Sequence, residues 1–432
     1  MSRLHFTGIG GVGMSALARA ALHLGHAVSG SDRTRDRGVR TPLLQALESE
    51  GARLFPQDGS GVTPETDALV ISSAIEADNP EWTAARRLDV AVRGRAELLA
   101  DFCRGSELVA VAGTAGKTTV TGMLGHIFRH LGRSPNVYCG GEMLAENGRR
   151  LGNFLPGSEP LWIVETDESD RSLLKFSPDH AVITNLGRDH FDLDEVRELF
   201  DRFAAATRRT LVTDGAREAA SIETRARGAG TAFTWRGMEY TLPQPGRHNV
   251  ENAVNAILLC EAMGFAAESV RDALACFGGI ARRLERVGTR NGLPVYDDYA
   301  HNPLKIRSAW RTLSERCGRV VGWWRPHGYG PLADLAGALE DTFAEVCRPD
   351  DRLLVLPVFY AGGTARRRLK TDDFVKRLAA RGVPAEFAGS YEALHARIGE
   401  LTGGPGAGDT ILLGMGARDP ELEMFARRVA CV

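Results

Sequence analysis

Short apolar, β-rich runs alternate with helical spacings along the whole chain. In the first hundred residues the runs are Leu4 to Thr7, Ala27 to Ser29, Ala68 to Ile71 and Val90 to Val92, with helical patterns opening near Met14 and Thr41. Such alternation predicts a parallel sheet covered by helices. A second series starts at Glu107 to Ala112, enters a long helix after Gly116, and continues through Trp162 to Val164, Ala181 to Thr184 and Thr210 to Thr213. After Arg283 the pattern restarts with Leu293 to Tyr296, Val320 to Trp323, Leu353 to Val358 and Thr410 to Leu413, separated by helical segments such as Leu332 to Val346. The expected fold class is α/β in three domains: 1–104, Rossmann-like; 105–284, a second α/β unit; and 285–432, again Rossmann-like. The 432 residues suit three domains at roughly 150 residues each. Gly403 to Gly408 reads as a surface loop.

Composition narrows the function classes. A hydrophobic share of 43% with 25% charged residues argues against a disordered or fibrous chain. The net charge of −2, with no long block of one sign, argues against a nucleic-acid partner. The start, MSRLHFTGIGG, lacks the pattern of a secretory signal, and no run approaches the ~18 apolar residues of a membrane span. A cytoplasmic protein without a membrane partner is expected. Seven scattered cysteines without a CxxC pair read as free thiols.

Gly8-Ile9-Gly10-Gly11-Val12-Gly13 fits GxGxxG between an apolar strand and a helical pattern, with Asp32 just past the next strand. Its glycines let backbone N–H groups and a helix N-terminus approach a pyrophosphate. A nucleotide-sugar diphosphate and a dinucleotide would use the same geometry. The second motif, Gly113-Thr114-Ala115-Gly116-Lys117-Thr118-Thr119, follows the strand Val109 to Ala112 and opens a helix. It supplies glycines, backbone donors, a lysine for the β/γ charge and a hydroxyl for Mg²⁺, in a loop shortened by having Val111 where the full pattern has glycine.

Next come Glu165-Thr166-Asp167-Glu168-Ser169-Asp170 at a strand end, and Thr184-Asn185-Leu186-Gly187-Arg188-Asp189-His190 at another. Four carboxylates so close repel unless a cation or buried donors offset them, which suits Mg²⁺ on oxygen ligands. His190 in that company suits metal or phosphate contact. Gly246-Arg247-His248-Asn249-Val250-Glu251-Asn252 opens an apolar helix, Arg282-Arg283 precedes the third domain, and Tyr296-Asp297-Asp298-Tyr299-Ala300-His301-Asn302-Pro303 follows its first strand.

As a set, HFTGIGGVGMSALA, VSGSD, VISSAIEADNPE, GRAELLA, GTAGKTT, ETDESD, TNLGRDHFD, GRHNVENA, ARRLERVG and DDYAHNP resemble the Mur ligases, ATP-dependent amide-forming enzymes of peptidoglycan precursor synthesis, and most of all their alanine-adding branch. The resemblance spans nearly the whole chain. It implies a UDP-sugar domain, an ATPase domain and an amino-acid-side domain. By that resemblance Gly8, Gly10, Gly11 and Gly13 hold a UDP diphosphate, and Ser31, Asp32, Ser72 and Ser73 line the nucleotide end. Gly113 to Thr119 cradle ATP, with Lys117 on its phosphates, and Thr118, Glu165 and His190 hold Mg²⁺; Lys117, Glu165 and His190 are the implied catalytic set. His248, Asn249 and Asn252 approach the adenine, Arg283 and Asp298 contact phosphate and ribose, and His301 and His327 face the acceptor.

The implied reaction is attack of a UDP-N-acetylmuramate-type carboxylate on the γ-phosphorus of ATP, giving an acyl phosphate that an amino acid, by default L-alanine, converts to an amide. Closure of the third domain over the second would exclude water from that intermediate.

Several positions depart from the branch. Ala115 stands where alanine-adding relatives have histidine. Trp324-Arg325-Pro326-His327-Gly328-Tyr329-Gly330-Pro331 lacks two arginines of the corresponding segment, and Leu356 to Thr364 lacks its acidic residues. An arginine lost from a carboxylate site removes a bidentate anchor. The alternatives are therefore a ligase using another amino acid or a recycled peptide, and a catalytically degenerate nucleotide-binding regulator of wall synthesis. A dehydrogenase would leave the phosphate loop unexplained.

Overall fold

The computed structural model describes residues 1–73, 75, 76, 78–186, 193–360, 369–403, 407–416 and 419–431. Its chain separates into two compact units: Met1–Arg225 with Ala232–Pro243 and Asn249–Ile280, and Ala226–Thr231 with Gln244–His248 and Ala281–Val432.

The first unit holds two α/β sheets. In one, five parallel strands lie in the order Arg53–Phe55, Ala27–Ser31, Arg3–Thr7, Ala68–Ile71, Ala91–Gly94. The central strand's Leu4 and Phe6 are buried on a core with Ala16, Leu17, Ala20 and Ala21 of the helix Val12–His23. The order reverses at Arg3–Thr7, and in open α/β sheets ligands bind beyond the strand ends at such a switch point.

The second sheet runs Thr210–Val212, His180–Ile183, Glu107–Ala112, Leu161–Glu165, Asn136–Leu144, Arg150–Leu155, parallel except for its last pair. One apolar cluster spans the two sheets, beside others that belong to each alone. Tyr138, Phe154, Trp162 and Phe176 belong to the same apolar cluster as Leu4, Phe6 and Leu17, and Asn153 Nδ2 donates to the Val12 carbonyl and to Ser15 Oγ.

In the second unit six strands run Glu285–Arg290, Leu293–Asp298, Thr410–Gly416, Arg319–Arg325, Arg352–Val355, Ala385–Phe387, parallel apart from the first pair. Trp310, Trp324, Phe343 and Phe374 fill one face, and Trp323, Leu394 and Phe425 the other. Burial on both faces explains why these strands read as unbroken apolar runs.

The α/β fold class is observed, with shifted ends. The run Leu353 to Val358 is a strand only over Arg352–Val355; Pro357 has no N–H to continue a ladder. The helix expected from Leu332 begins at Tyr329, since Pro331 is tolerated in a first turn. The strands Asn136–Leu144 and Arg150–Leu155 and a small sheet of Thr224–Arg227, Gly230–Trp235 and Met238–Leu242 were not expected. Of the GGPGAG loop, residues 404–406 lie outside the described residues.

Candidate active site

Strand order builds the phosphate-loop site. Glu107–Ala112 lies between His180–Ile183 and Leu161–Glu165, with Ala112 beside Ile183 and Val111 beside Glu165. The loop leaving Ala112 is therefore flanked by Thr184 and Asn185 on one side and Glu165 on the other. Thr114 N–H donates to the Asn185 carbonyl (3.2 Å), Ala115 N–H to Asn185 Oδ1 (2.9 Å), and Asn185 Nδ2 returns a bond to the Ala115 carbonyl (3.0 Å). Gly113 and Gly116 have φ of +132° and +85°, a region L side chains rarely enter. A Cβ on Gly116 would also overlap the Asn252 side chain, so this glycine admits Asn252 to the loop.

Gly116 caps the helix Lys117–His130, and a helix N-terminus offers N–H groups and a positive dipole that suit a phosphate. Lys117 Nζ donates to the Gly113 carbonyl (2.7 Å) and pairs with Glu168 at 2.6 Å. Thr118 Oγ1 donates to Glu165 Oε1 (2.9 Å), and Gly140 N–H donates to the other Glu165 oxygen (2.6 Å).

The acidic run, expected as one metal-binding cluster, is divided among three partners. Glu165 faces Thr118, Glu168 faces Lys117, and Asp170 and Asp167 face Arg95 at 3.3 and 3.9 Å. Burial pushes the Glu168 carboxyl up despite Lys117. Burial opposes the charge of Asp167 too, yet the Ser169 amide and hydroxyl with Lys117 and Arg95 outweigh it and hold Asp167 below its ordinary value. His190 lies outside the described residues.

The glycine turn of the first sheet is tied to Asp32. Gly10 N–H donates to Asp32 Oδ2 (3.0 Å), while Oδ1 accepts from Thr34 N–H (2.8 Å) and caps the turn Arg33–Asp36. Ser31 is buried beside it and accepts from Gln57 Nε2. Ser72 and Ser73 follow the strand Ala68–Ile71, which neighbours Arg3–Thr7, so both serines lie across from Gly8. Gly13 has a packing role as well: its carbonyl accepts from Tyr138 Oη (2.8 Å), and a Cβ there would strike the Arg95 guanidinium.

In the second unit, His248 Nδ1 lies 3.4 Å from Ser308 Oγ, and burial, aided by Arg283, lowers it to about 4. Arg283 stacks over Tyr299 at 5.7 Å. Asp298 is pushed up by burial, with Arg283 opposing, and accepts from Leu284 N–H (2.8 Å). These three expected nucleotide contacts thus interact with one another, while Asn252 stands at the phosphate loop. Asn249 is buried in the helix Arg247–Ala262. His301 and His327 come together with ring centres 6.4 Å apart. Burial first, then Lys305, lowers His301 to about 4. Arg325 is turned inward, pairing with Asp419 and donating to Tyr391 Oη.

Several partners were not among the expected site residues: Glu168, Asn185, Arg95, Asp170 and Gly140. Glu168 and Asn185 sit inside motifs already read, ETDESD and TNLGRDHFD, and Arg95 inside GRAELLA. Only three-dimensional pairing tells which members of those runs reach the loop.

This arrangement of two glycine-loop sites matches known proteins over nearly all its length. The Mur ligase family, catalytic domain, matches residues 3–107; the Mur ligase middle domain, 111–199; and the Mur ligase, glutamate ligase domain, 282–418. The chain belongs to the Mur ligase family. Within it, the chain is 32% identical to the UDP-N-acetylmuramate–L-alanine ligase of Rhizobium etli, over 96% of this chain and 94% of that one. It is 34% identical to the enzyme of the same name from a Chelativorans strain, over 88% of each. The crystal structure of UDP-N-acetylmuramate-alanine ligase from Thermotoga maritima superposes with a TM-score of 0.81 at 28% identity, covering 99% of this chain and 98% of that one.

Proposed function

We propose that this chain is an ATP-dependent ligase that joins L-alanine to the carboxylate of UDP-N-acetylmuramate in peptidoglycan precursor synthesis. Its similarity to alanine-adding ligases over nearly the full length supports the reaction. The single observation that carries the chemistry is the loop in which Lys117, the helix N-terminus and the Thr118–Glu165 pair converge.

Thr118 and Glu165 fit Mg²⁺: both offer hard oxygen donors, 2.9 Å apart, with the second Glu165 oxygen steadied by Gly140. When bound there, with His190 as a further ligand, the ion would screen the charge on ATP and the transferring phosphoryl group. The chain's own residues do the rest. A carboxylate approaching a polyanionic nucleotide is repelled, and Lys117 with the loop N–H groups offsets that charge where it grows in the transition state. For this Lys117 exchanges Glu168 and the Gly113 carbonyl for phosphate oxygens.

The turn Gly8 to Gly13, with Ser31, Asp32, Ser72 and Ser73, is assigned to the UDP diphosphate and its nucleoside. Arg283, Asp298, His248, Asn249 and Asn252 are assigned to ATP, and His301 and His327 to the acceptor side, as the family resemblance implies. The proposed reaction belongs to the cytoplasm, where ATP and a water-soluble sugar nucleotide meet. Among the described residues no helix is long and apolar enough to cross a membrane.

The test is incubation of the purified protein with UDP-N-acetylmuramate, Mg-ATP and a panel of amino acids and peptides, following phosphate release and product mass. Ligation of alanine in preference to the rest supports the assignment. Ligation of only another acceptor would replace it, and nucleotide binding without any ligation would favour a regulator.

A further inference from the structure

The helix that begins at Lys117 carries two histidines at its other end, His126 and His130. Four residues apart, they leave the helix on one face. The helix Ala267–Ala275 stops one residue before Cys276, whose sulfur lies 3.5 Å from His126 Nε2 and 3.6 Å from His130 Nδ1. One ligand atom from each of the three lies within 4.8 Å of the others, the one such grouping of histidine, cysteine and carboxylate ligands among the described residues. His130 is exposed and the other two are half-buried, so solvent ions can reach them.

The spacing suits a metal. With metal–nitrogen and metal–sulfur bonds of about 2.0 and 2.3 Å, a tetrahedral centre sets nitrogen and sulfur about 3.5 Å apart, and two edges of the triangle, 3.5 and 3.6 Å, already match it. Two imidazoles and a thiolate form a borderline-soft set, matched to zinc-like ions and poorly to Mg²⁺ or Ca²⁺. Thr118 lies eight residues earlier on the same helix, about 12 Å along its axis, so the two sites do not share ligands.

We propose that His126, His130 and Cys276 bind one divalent transition ion of the zinc class, with water in the fourth position. On binding, the Cys276 thiol loses its proton to solvent, and His126 Nε2 gives up its 2.8 Å contact with the Ala273 carbonyl. The ion then pins the end of the phosphate-loop helix to the end of Ala267–Ala275, stabilising the folded state by an amount that rises with the logarithm of its concentration above Kd.

The experiment titrates the full-length, metal-free protein with Co²⁺ in excess Mg²⁺. One equivalent is expected to bind with tetrahedral visible bands and a thiolate-to-cobalt charge-transfer band, and Zn²⁺ is expected to bleach both. Cys276→Ser is expected to remove the charge-transfer band, and His130→Gln to weaken binding at least about 10-fold. Glu165→Gln is expected to leave the spectrum unchanged. Both site variants should keep Mg-ATP-dependent ligation without added zinc, which shows that they fold. Zinc should raise the melting temperature of the parent and not of the variants. No charge-transfer band in the parent, or an unchanged band in Cys276→Ser, overturns the proposal.

Discussion

Lys117 Nζ stands 2.6 Å from the Glu168 carboxylate, in a pair that is largely buried. The loop lysine is thereby held beside the Gly113 carbonyl, preorganised at the helix end proposed to take phosphate. Preorganised charge in a water-poor site acts without reorganisation at the moment of reaction.

Replacing Lys117 by Ala is expected to lower kcat/KM for ATP by about 1000-fold or more, the scale of losing one preorganised donor to the transferring charge. The dissociation constant for UDP-N-acetylmuramate should stay unchanged, because that ligand is assigned to the Gly8–Gly13 turn. Isothermal titration beside steady-state kinetics separates the two, and near-parental turnover would refute the role of Lys117.

Thr118→Val keeps the shape of the helix's first turn and removes the hydroxyl that faces Glu165. The Mg²⁺ concentration for half-maximal rate is expected to rise about 10-fold or more, with KM for UDP-N-acetylmuramate unmoved. A magnesium titration at saturating substrates is the check; an unchanged midpoint removes Thr118 from the metal site.

Asp32 joins the Gly10 amide to the cap of Arg33–Asp36. Asp32→Ala is expected to cost about 1 kcal/mol in stability through the lost cap. It should also weaken UDP-sugar binding selectively, because the glycine turn loses its anchor. Denaturant melts with KM values for the two nucleotides test this, and an equal rise in both would point to general loosening.

Acid should destabilise the second unit through its half-buried histidines. His248 is held at about 4 in the folded state against an ordinary value near 6.5. A base so depressed is neutral in the fold and protonated in the unfolded chain at mildly acid pH. The stability it contributes is present above about pH 6.5 and is lost as pH falls toward 4. His248→Gln should therefore shrink the stability difference between about pH 7.5 and about pH 5 by up to about 2 kcal/mol. Urea melts at the two values decide it, and an unaltered difference would place the acid sensitivity elsewhere.

The local form of the candidate site was legible because glycine, lysine and hydroxyl residues at fixed spacing permit few alternatives. The loop Gly113 to Thr119 and the turn Gly8 to Gly13 each lie between a strand and a helix, as their motifs implied, and Thr118 meets Glu165. The acidic run was not legible in the same way. Nothing in ETDESD alone tells that Glu168 goes to Lys117 while Asp167 and Asp170 go to Arg95, 72 and 75 residues earlier in the chain. Arg325 shows the same limit: an arginine in the acceptor-side segment turned out to pair with Asp419.

The sequence by itself determined the alternation of strands and helices, the two glycine-rich turns and the family, because each rests on local periodicity or on residues close along the chain. The tertiary structure alone decided that one apolar cluster joins the first two sheets, which carboxylate meets which cation, and that His126, His130 and Cys276 meet. Those outcomes depend on strand order and helix packing, which bring together residues as many as 150 positions apart, and no local pattern encodes them.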